Sequence, residues 1–117
     1  MRLVTSTAHR IHWVNLQHRQ KMPQPVVNFP IDTWQEFAGL MQNLDGIVSV
    51  DTGVYHLAGV MGKKIATILA ANSCWKFGMS GKKDPWYPTS TLYRNKVHGM
   101  EDAVTELIQD INTGAIF

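Results

Sequence analysis

A polar corner with the sequence Asp51-Thr52-Gly53 stands between an apolar segment and a helical pattern, and a histidine follows at position 56. The backbone amides of Gly53, Val54 and Tyr55 would open the helix without acceptors inside it, and with the helix dipole they favour an anion. Gly53 has no Cβ, so a phosphate group could approach the backbone closely. The corner is therefore a candidate site for a phosphate or diphosphate group.

The same corner also has a purely structural interpretation. Asp51 or Thr52 could act as an N-cap, whose side-chain oxygen accepts a hydrogen bond from the first amides of the helix. Asp51 would also repel an anion unless its carboxylate turned away to a ribose hydroxyl or a turn amide. The residue types alone leave both interpretations open.

His56 lies opposite the apolar helix face that Val54, Leu57, Ala58 and Met61 form at helical spacing. We expect it to face the mouth of a sheet or the solvent, where an imidazole could donate to a phosphate or sugar oxygen. A surface histidine without a binding role is the alternative.

Other reactive side chains form no recognisable site. The histidines at positions 9, 12 and 18 fix no geometry for zinc, which needs three or four convergent ligands, so no metal is predicted. Cys74 has no orienting group beside it and is expected to be a small apolar side chain rather than a nucleophile. Lys82 and Lys83 are expected at a solvated loop tip, with a basic loop that swings over a diphosphate as the alternative.

Three segments with helical periodicity would position these residues: 33–44, 53–61 and 100–112. Thr33 and Glu36 can form a capping box at the start of the first. Gly62 and Gly114 follow the second and third, where a helix end favours left-handed backbone.

Two short segments, 46–50 and 64–70, are nearly continuous in apolar or β-branched residues, as in strands buried on both faces. Further strand candidates are 13–17, 26–30 and 90–95. The alternation of strands and helices over residues 26–70 predicts two right-handed crossovers and a parallel sheet. The expected fold class is thus α/β with a doubly wound, Rossmann-like parallel sheet.

The beginning of the chain fits this pattern less well. If residues 2–7 were also a strand, too few residues would separate it from 13–17 for a parallel crossover. The two could pair only as an antiparallel hairpin, or not with each other. Residues 72–89 are loop-like, and a loop of that length is usually functional or mobile.

Composition and charge restrict the class of protein. The chain has 117 residues, 44% hydrophobic and 17% charged, which predicts a single globular domain over residues 1–117. A formal charge of +2 from scattered basic residues suits a small anion, not a nucleic acid. The lone cysteine gives no disulfide framework, and no apolar run resembles a signal peptide or a membrane span. We therefore predict a cytoplasmic protein.

The segment "LDGIVSVDTGVYHLAGVMGKKIATILA", followed later by "DPWYPTSTLYRN", resembles the C-terminal domain of the heptosyltransferase-like glycosyltransferases, glycosyltransferase family nine. The shared pattern is D-T-x-x-x-H-L-A-x-x-x-G, which begins at Asp51 and ends at Gly62. A second motif, D-x-x-W-Y-P, is matched one residue shorter from Asp84 to Pro88. The resemblance runs over residues 13–111 and is strongest to the branch attached to tetratricopeptide repeats.

This resemblance implies a two-domain GT-B fold whose C-terminal half binds a nucleotide-diphosphate sugar. It implies that Thr52, Gly53, Val54 and His56 contact the diphosphate and that Asp51 supports them.

Further contacts are implied outside the corner. Gln17 ends a strand that resembles the family's "VSLQ" strand, whose following loop lines the cleft. In the long loop, Asn72, Ser73, Trp75 and Trp86 could contact the base or sugar by stacking and hydrogen bonding. Packing within the loop is the alternative for these residues.

The chain also departs from the family. Only 12 residues precede Trp13, too few for the strand and crossover helix that members place before "VSLQ". We expect the acceptor domain, which supplies the catalytic base in such enzymes, to be missing as well. We therefore expect half of a GT-B C-terminal domain that binds a nucleotide-diphosphate sugar, has no catalytic residue and no cofactor, and does not catalyse transfer alone. A partner chain with the acceptor domain would restore inverting transfer. The alternative is a non-enzymatic remnant that self-associates as a homodimer.

Overall fold

The structure is a computed structural model that describes residues 2–16, 22–23, 25–29, 31–50, 52–69, 81–95 and 101–117. The chain divides into two compact units, Met1–Asn43 and Leu44–Phe117. The single domain expected over residues 1–117 stays a prediction.

The first unit contains two helices and a two-stranded parallel sheet. Its elements are α1 (Arg2–Thr7), β1 (Val14–Asn15), β2 (Val27–Asn28) and α2 (Trp34–Gln42). Asn15 pairs with Asn28 in the ladder, and its Nδ2 donates a hydrogen bond of 2.8 Å to the Oδ1 of Asn28. The strands predicted at 13–17 and 26–30 are thus present, with two residues each among those described.

Residues 2–7 form a helix rather than the additional strand that was considered for them. The side chains of Val4 and Thr7 are buried, and their spacing of three residues places both on one helix face. The Thr7 hydroxyl donates to the Leu3 carbonyl at 2.7 Å and accepts from the indole N–H of Trp13 at 2.9 Å. These bonds satisfy the buried hydroxyl of Thr7 within the helix, and they offset the preference of this β-branched residue for a strand.

The start of α2 has one of the two hydrogen bonds of the capping box predicted for Thr33 and Glu36. The Thr33 hydroxyl accepts the backbone N–H of Glu36 at 3.1 Å, and the Glu36 carboxylate accepts the backbone N–H of Asp32 at 3.3 Å. The return bond thus lies one residue before the N-cap. Phe37 and Met41, four residues apart, are the buried side chains of this helix.

The second unit is a parallel sheet with two helices. Its elements are β3 (Gly46–Val50), α3 (Gly53–Val60), β4 (Lys64–Leu69), β5 (Ser90–Arg94) and α4 (Glu101–Thr113). The strand order is β3-β4-β5, and both pairings are parallel. Every residue of β4 after Lys64 is buried, as expected of a central parallel strand. The predicted α/β class with parallel strands is confirmed, and the arrangement is compatible with a partial Rossmann-like fold.

The strands predicted over residues 26–70 are divided between two sheets. β2 pairs with β1, whereas β3 pairs with β4. Both residues of β2 are exposed, so this strand lacks the burial on both faces that is typical of an interior parallel strand. The predicted parallel pairing of 46–50 with 64–70 is confirmed.

Both predicted glycine helix ends are confirmed. Gly62 has a φ of 71° just after the C-cap residue of α3, and Gly114 has a φ of 81° just after α4. Left-handed backbone at these positions favours glycine because a Cβ would be strained there.

Asn95 joins the carboxyl ends of two strands to the first turn of α4. Its backbone N–H and its Nδ2 donate to the Leu69 carbonyl at 3.1 and 2.9 Å, and its Oδ1 accepts the backbone N–H of Ala103 at 3.1 Å. The residue is buried, so these bonds satisfy groups that water reaches poorly. Asn95 thereby fixes α4 at the edge where ligands of open parallel sheets bind.

Candidate functional site

The candidate corner lies at the carboxyl end of β3, where α3 begins. This is the edge of a parallel sheet at which ligands usually bind. Thr52 and Gly53 are exposed and Val54 is half-buried. Asp51 lies outside the described residues. The start of an eight-residue helix is thus presented at the expected edge.

Thr52 occupies the N-cap position of α3, but its side chain does not cap the helix. Its hydroxyl lies 3.4 Å from the Ser49 hydroxyl and 3.5 Å from the carbonyl oxygen of Val50. The interpretation of Thr52 as a capping side chain is therefore wrong. The hydroxyl is directed to the end of β3 and does not occupy the helix start.

The buried face of α3 differs from the one expected. Tyr55 and Ala58 are completely buried, whereas Val54, Leu57 and Met61 are only half-buried. The expected face omitted Tyr55, whose ring is largely apolar and whose hydroxyl finds a partner in the interior. The buried face of α3 is thus rotated from the expected one toward Tyr55.

His56 is exposed, as predicted from its place opposite the apolar residues. Its Nδ1 lies 3.0 Å from the hydroxyl oxygen of Tyr87. The backbone N–H of His56 donates to the Thr52 carbonyl at 3.3 Å, which closes the first turn of the helix. The histidine is therefore held at the start of α3 with one ring nitrogen bonded to a residue of the second motif.

Asp84 organises that second motif, residues 84–87, which we call the aspartate turn. Its Oδ1 accepts the backbone N–H groups of Trp86 at 2.7 Å and Tyr87 at 3.3 Å, an arrangement typical of an Asx turn. Its Oδ2 accepts the hydroxyl of Tyr55. Asp84 is only 4% exposed, so one buried carboxylate fixes the turn and joins it to α3.

Aromatic rings fill the contact between α3 and the aspartate turn. The Tyr55 and Tyr87 rings meet edge to face with centroids 5.2 Å apart, and the His56 ring lies 4.9 Å from Tyr55 and 5.9 Å from Tyr87. Gly59 lets the Tyr87 ring approach the helix, because a Cβ at Gly59 would lie 2.4 Å from it. The absence of a side chain at this position is thus a packing requirement.

Trp86 is the exposed aromatic of the aspartate turn, with 59% of its surface accessible. The Asp84 carboxylate fixes its backbone, and the stacking of its ring on a base or sugar stays a prediction. The other loop candidates, Asn72, Ser73 and Trp75, lie outside the described residues, as does Gln17.

The sequence-based prediction missed three residues that connect the two motifs: Tyr55, Asp84 and Tyr87. One signal was available, because an aspartate that opens D-P-W-Y-P is a common start of a turn. The pairing of Tyr55 with Asp84 had no local signal, since the two are 29 positions apart.

In a comparison with protein-family models, residues 29–108 match "Glycosyltransferase family 9 (heptosyltransferase)". The matched region is more than half of the chain and contains both the corner and the aspartate turn. This chain belongs to glycosyltransferase family 9. No curated protein and no solved structure matches it significantly.

In this family 9 chain the basic loop before β5 is fixed to α4. The Lys82 ammonium lies 2.7 Å from Glu106 and 3.1 Å from Asp110, and Asp110 also accepts the Tyr93 hydroxyl at 2.7 Å. The backbone of Lys83 bridges to β5. Lys82 and Lys83 are exposed, as expected of a solvated loop tip, but two carboxylates bind the Lys82 ammonium, which disfavours the alternative of a swinging basic loop.

The same cluster shifts two pKa values. The hydrogen bond to Glu106, and then that to Asp110, raises the pKa of Lys82 despite partial desolvation. Burial, and then the hydrogen bond to Asp110, raises the pKa of Tyr93. Both groups therefore keep their protons to higher pH in the folded family 9 domain.

Within the described ranges, no group of three or more histidine, cysteine, aspartate or glutamate side chains could hold a metal ion. His18 and Cys74 lie outside those ranges. None of the helices described is long and apolar enough to cross a membrane.

Proposed function

We propose that this family 9 chain binds the diphosphate of a nucleotide sugar at the start of α3. The observation that carries the proposal is the exposed start of the helix at the carboxyl end of β3, which the Thr52 side chain does not cap. In the proposed complex the amides of Gly53 and Val54 and the Thr52 hydroxyl donate to phosphate oxygens. Asp51 supports the corner by bonding a turn amide or a ribose hydroxyl.

The remaining contacts surround this corner. His56 donates to a phosphate or sugar oxygen from the same helix turn. Trp86 stacks on the base or sugar, which its exposure and fixed backbone favour. Gln17, Asn72 and Ser73, which lie outside the described residues, are proposed as further contacts.

The proposal concerns binding rather than transfer. Inverting glycosyl transfer needs a base that deprotonates the acceptor, and we assign this role to none of the described residues. A second chain or domain that carries the acceptor site would complete the reaction. Within the family, we assign the chain to the branch associated with tetratricopeptide repeats, which its sequence resembles most. A cytoplasmic location remains a prediction.

Isothermal titration calorimetry with UDP, GDP and ADP, and with their sugar conjugates, tests the proposal. We expect at least one nucleotide diphosphate to bind, and Gly53→Val to abolish its binding, because the new side chain would occupy the place of the phosphate. Gly39→Val is the matched control, since Gly39 is an exposed helical glycine with open space around it. A lack of heat with every nucleotide at millimolar concentration would refute the proposal.

A second candidate function is self-association through β3. This strand has one strand neighbour in the described sheet, and Val50 at its end is 39% exposed. An open edge of this kind can pair with a strand of a second copy. Light scattering distinguishes the two functions, because a monomer that binds a nucleotide would eliminate the obligate dimer.

A further inference from the structure

Tyr87 contacts the histidine of the proposed diphosphate site from the second motif. Its hydroxyl oxygen lies 3.0 Å from Nδ1 of His56. The tyrosine is held by the Asp84 bond to its backbone N–H, by the close approach of its ring to Gly59 and by the edge of the Tyr55 ring. The hydroxyl therefore has a fixed place, whereas the histidine that it contacts is exposed.

We propose that Tyr87 is a positioning residue, which donates its hydroxyl proton to Nδ1 of His56 and keeps the imidazole proton on Nε2. This inference rests on the proposed diphosphate site. A neutral imidazole has one donor and one acceptor nitrogen, and the bond made by one nitrogen decides the role of the other. With Nδ1 as the acceptor, Nε2 carries the proton and can donate a hydrogen bond to a phosphate oxygen.

The direction of the hydrogen bond follows from the surroundings of the tyrosine. Tyr87 is half-buried, and among the described residues its hydroxyl bonds only to Nδ1 of His56. If the hydroxyl accepted from Nδ1, its own proton would be left to the solvent, and the bond would use a phenol oxygen, which is a weaker acceptor than an unprotonated imidazole nitrogen. Donation to Nδ1 satisfies the hydroxyl without any additional group.

The two motifs would then act as one unit. Asp84 fixes the backbone of the turn, the turn fixes Tyr87, and Tyr87 fixes the ring of His56. Without the hydroxyl, the imidazole would populate both tautomers and rotate more freely. A net hydrogen bond of ordinary strength corresponds to about two- to tenfold in affinity, so we expect diphosphate binding to weaken by that factor.

The test compares wild type with Tyr87→Phe, which keeps the ring against Gly59 and Tyr55 and removes only the hydroxyl. Long-range ¹H–¹⁵N correlation spectra of the ligand-free chain, recorded above the ordinary histidine pKa, report which imidazole nitrogen carries the proton. Calorimetry then measures the affinity for UDP, GDP, ADP and inorganic pyrophosphate. Tyr93→Phe is the matched control, because its hydroxyl bonds to Asp110.

We expect wild-type His56 to carry its proton on Nε2, a mixture of tautomers in Tyr87→Phe, and the two- to tenfold loss in affinity only in that variant. A proton on Nδ1 in the wild-type chain would overturn the inference, and this measurement stands even if the variant does not fold. Equal affinities of wild type and Tyr87→Phe would overturn the positioning role and leave the proposed function intact. If no probe binds while the tautomer is as expected, the proposed function fails and the hydrogen-bond assignment stands.

Discussion

The hydroxyl of Tyr55 donates a hydrogen bond to Oδ2 of Asp84, so the buried face of α3 holds the carboxylate that organises the aspartate turn. Both residues are buried, at 0% and 4% exposure. Because the turn carries Tyr87, which contacts His56 of α3, this bond relates the aspartate turn to the corner in space.

Tyr55→Phe should destabilise the fold. The substitution leaves one oxygen of a buried carboxylate without its donor, and we expect the free energy of unfolding to fall by about 1–3 kcal/mol. Urea denaturation followed by circular dichroism measures this change. Asp84→Asn should have a smaller effect, because the amide oxygen still accepts the backbone N–H groups of Trp86 and Tyr87. Equal stability of Tyr55→Phe and wild type would contradict the structural role of this bond.

Gly59→Ala and Gly39→Ala should change stability in opposite directions. At Gly39 a Cβ meets open space, and alanine should stabilise the helix by about 0.5–1 kcal/mol. At Gly59 the Cβ would overlap the Tyr87 ring, and such overpacking costs about 1–3 kcal/mol. Thermal unfolding of both variants and of wild type measures these two changes in stability. A stabilised Gly59→Ala would show that Tyr87 does not pack on α3.

The fold should lose stability in alkali through Tyr93 and Lys82. Their pKa values are raised above the ordinary 10.0 and 10.5, so as the pH rises the unfolded chain releases these protons first. The unfolded state then binds fewer protons than the folded one, and the free energy of unfolding decreases with pH. This stabilisation is fully present below pH 10.0 and is lost as the pH rises toward the raised values in the folded chain.

Tyr93→Phe should flatten this alkaline decline, and melting temperatures from pH 8 to 11 would measure the difference. Tyr87→Phe serves as the control tyrosine substitution. Parallel pH profiles for wild type and Tyr93→Phe would contradict the assignment.

Asn95→Ala should loosen the first turn of α4. The substitution removes the acceptor of the Ala103 amide and one of two donors to the Leu69 carbonyl, and buried groups left unpaired cost about 1–3 kcal/mol. Hydrogen exchange of the Ala103 amide reports the effect directly. Unchanged protection of that amide would show that Asn95 does not cap the helix.

The relation between sequence and structure differs between local and distant features. Gly62 and Gly114 were predicted correctly as helix ends because left-handed backbone depends on the residue itself. The helix at residues 2–7 was not predicted. Burial of Val4 and Thr7 and the hydrogen bonds of the Thr7 hydroxyl outweigh the preference of β-branched residues for strands. The intrinsic preference of a residue for helix or strand is a small energy that such tertiary contacts readily override.

The candidate site shows the same division. The corner and the exposure of His56 followed from a strand-to-helix pattern within a few residues. The contact of Tyr87 with His56 depends on a chain reversal that brings positions 31 apart together, and no periodicity encodes it. Lys82 was expected at a solvated loop tip, and its sequence context does not reveal the carboxylates of Glu106 and Asp110 that bind it.

The central claim is that a nucleotide diphosphate binds at the start of α3, and an amide-resolved NMR titration tests it most directly. With UDP, GDP or ADP added to the ¹⁵N-labelled chain, we predict saturable shifts at the amides of Thr52, Gly53 and Val54 and at His56, with little change in the amides of α2. Amide signals of these residues that stay unshifted at millimolar concentrations of all three nucleotides, in a chain shown to be folded, would contradict the claim.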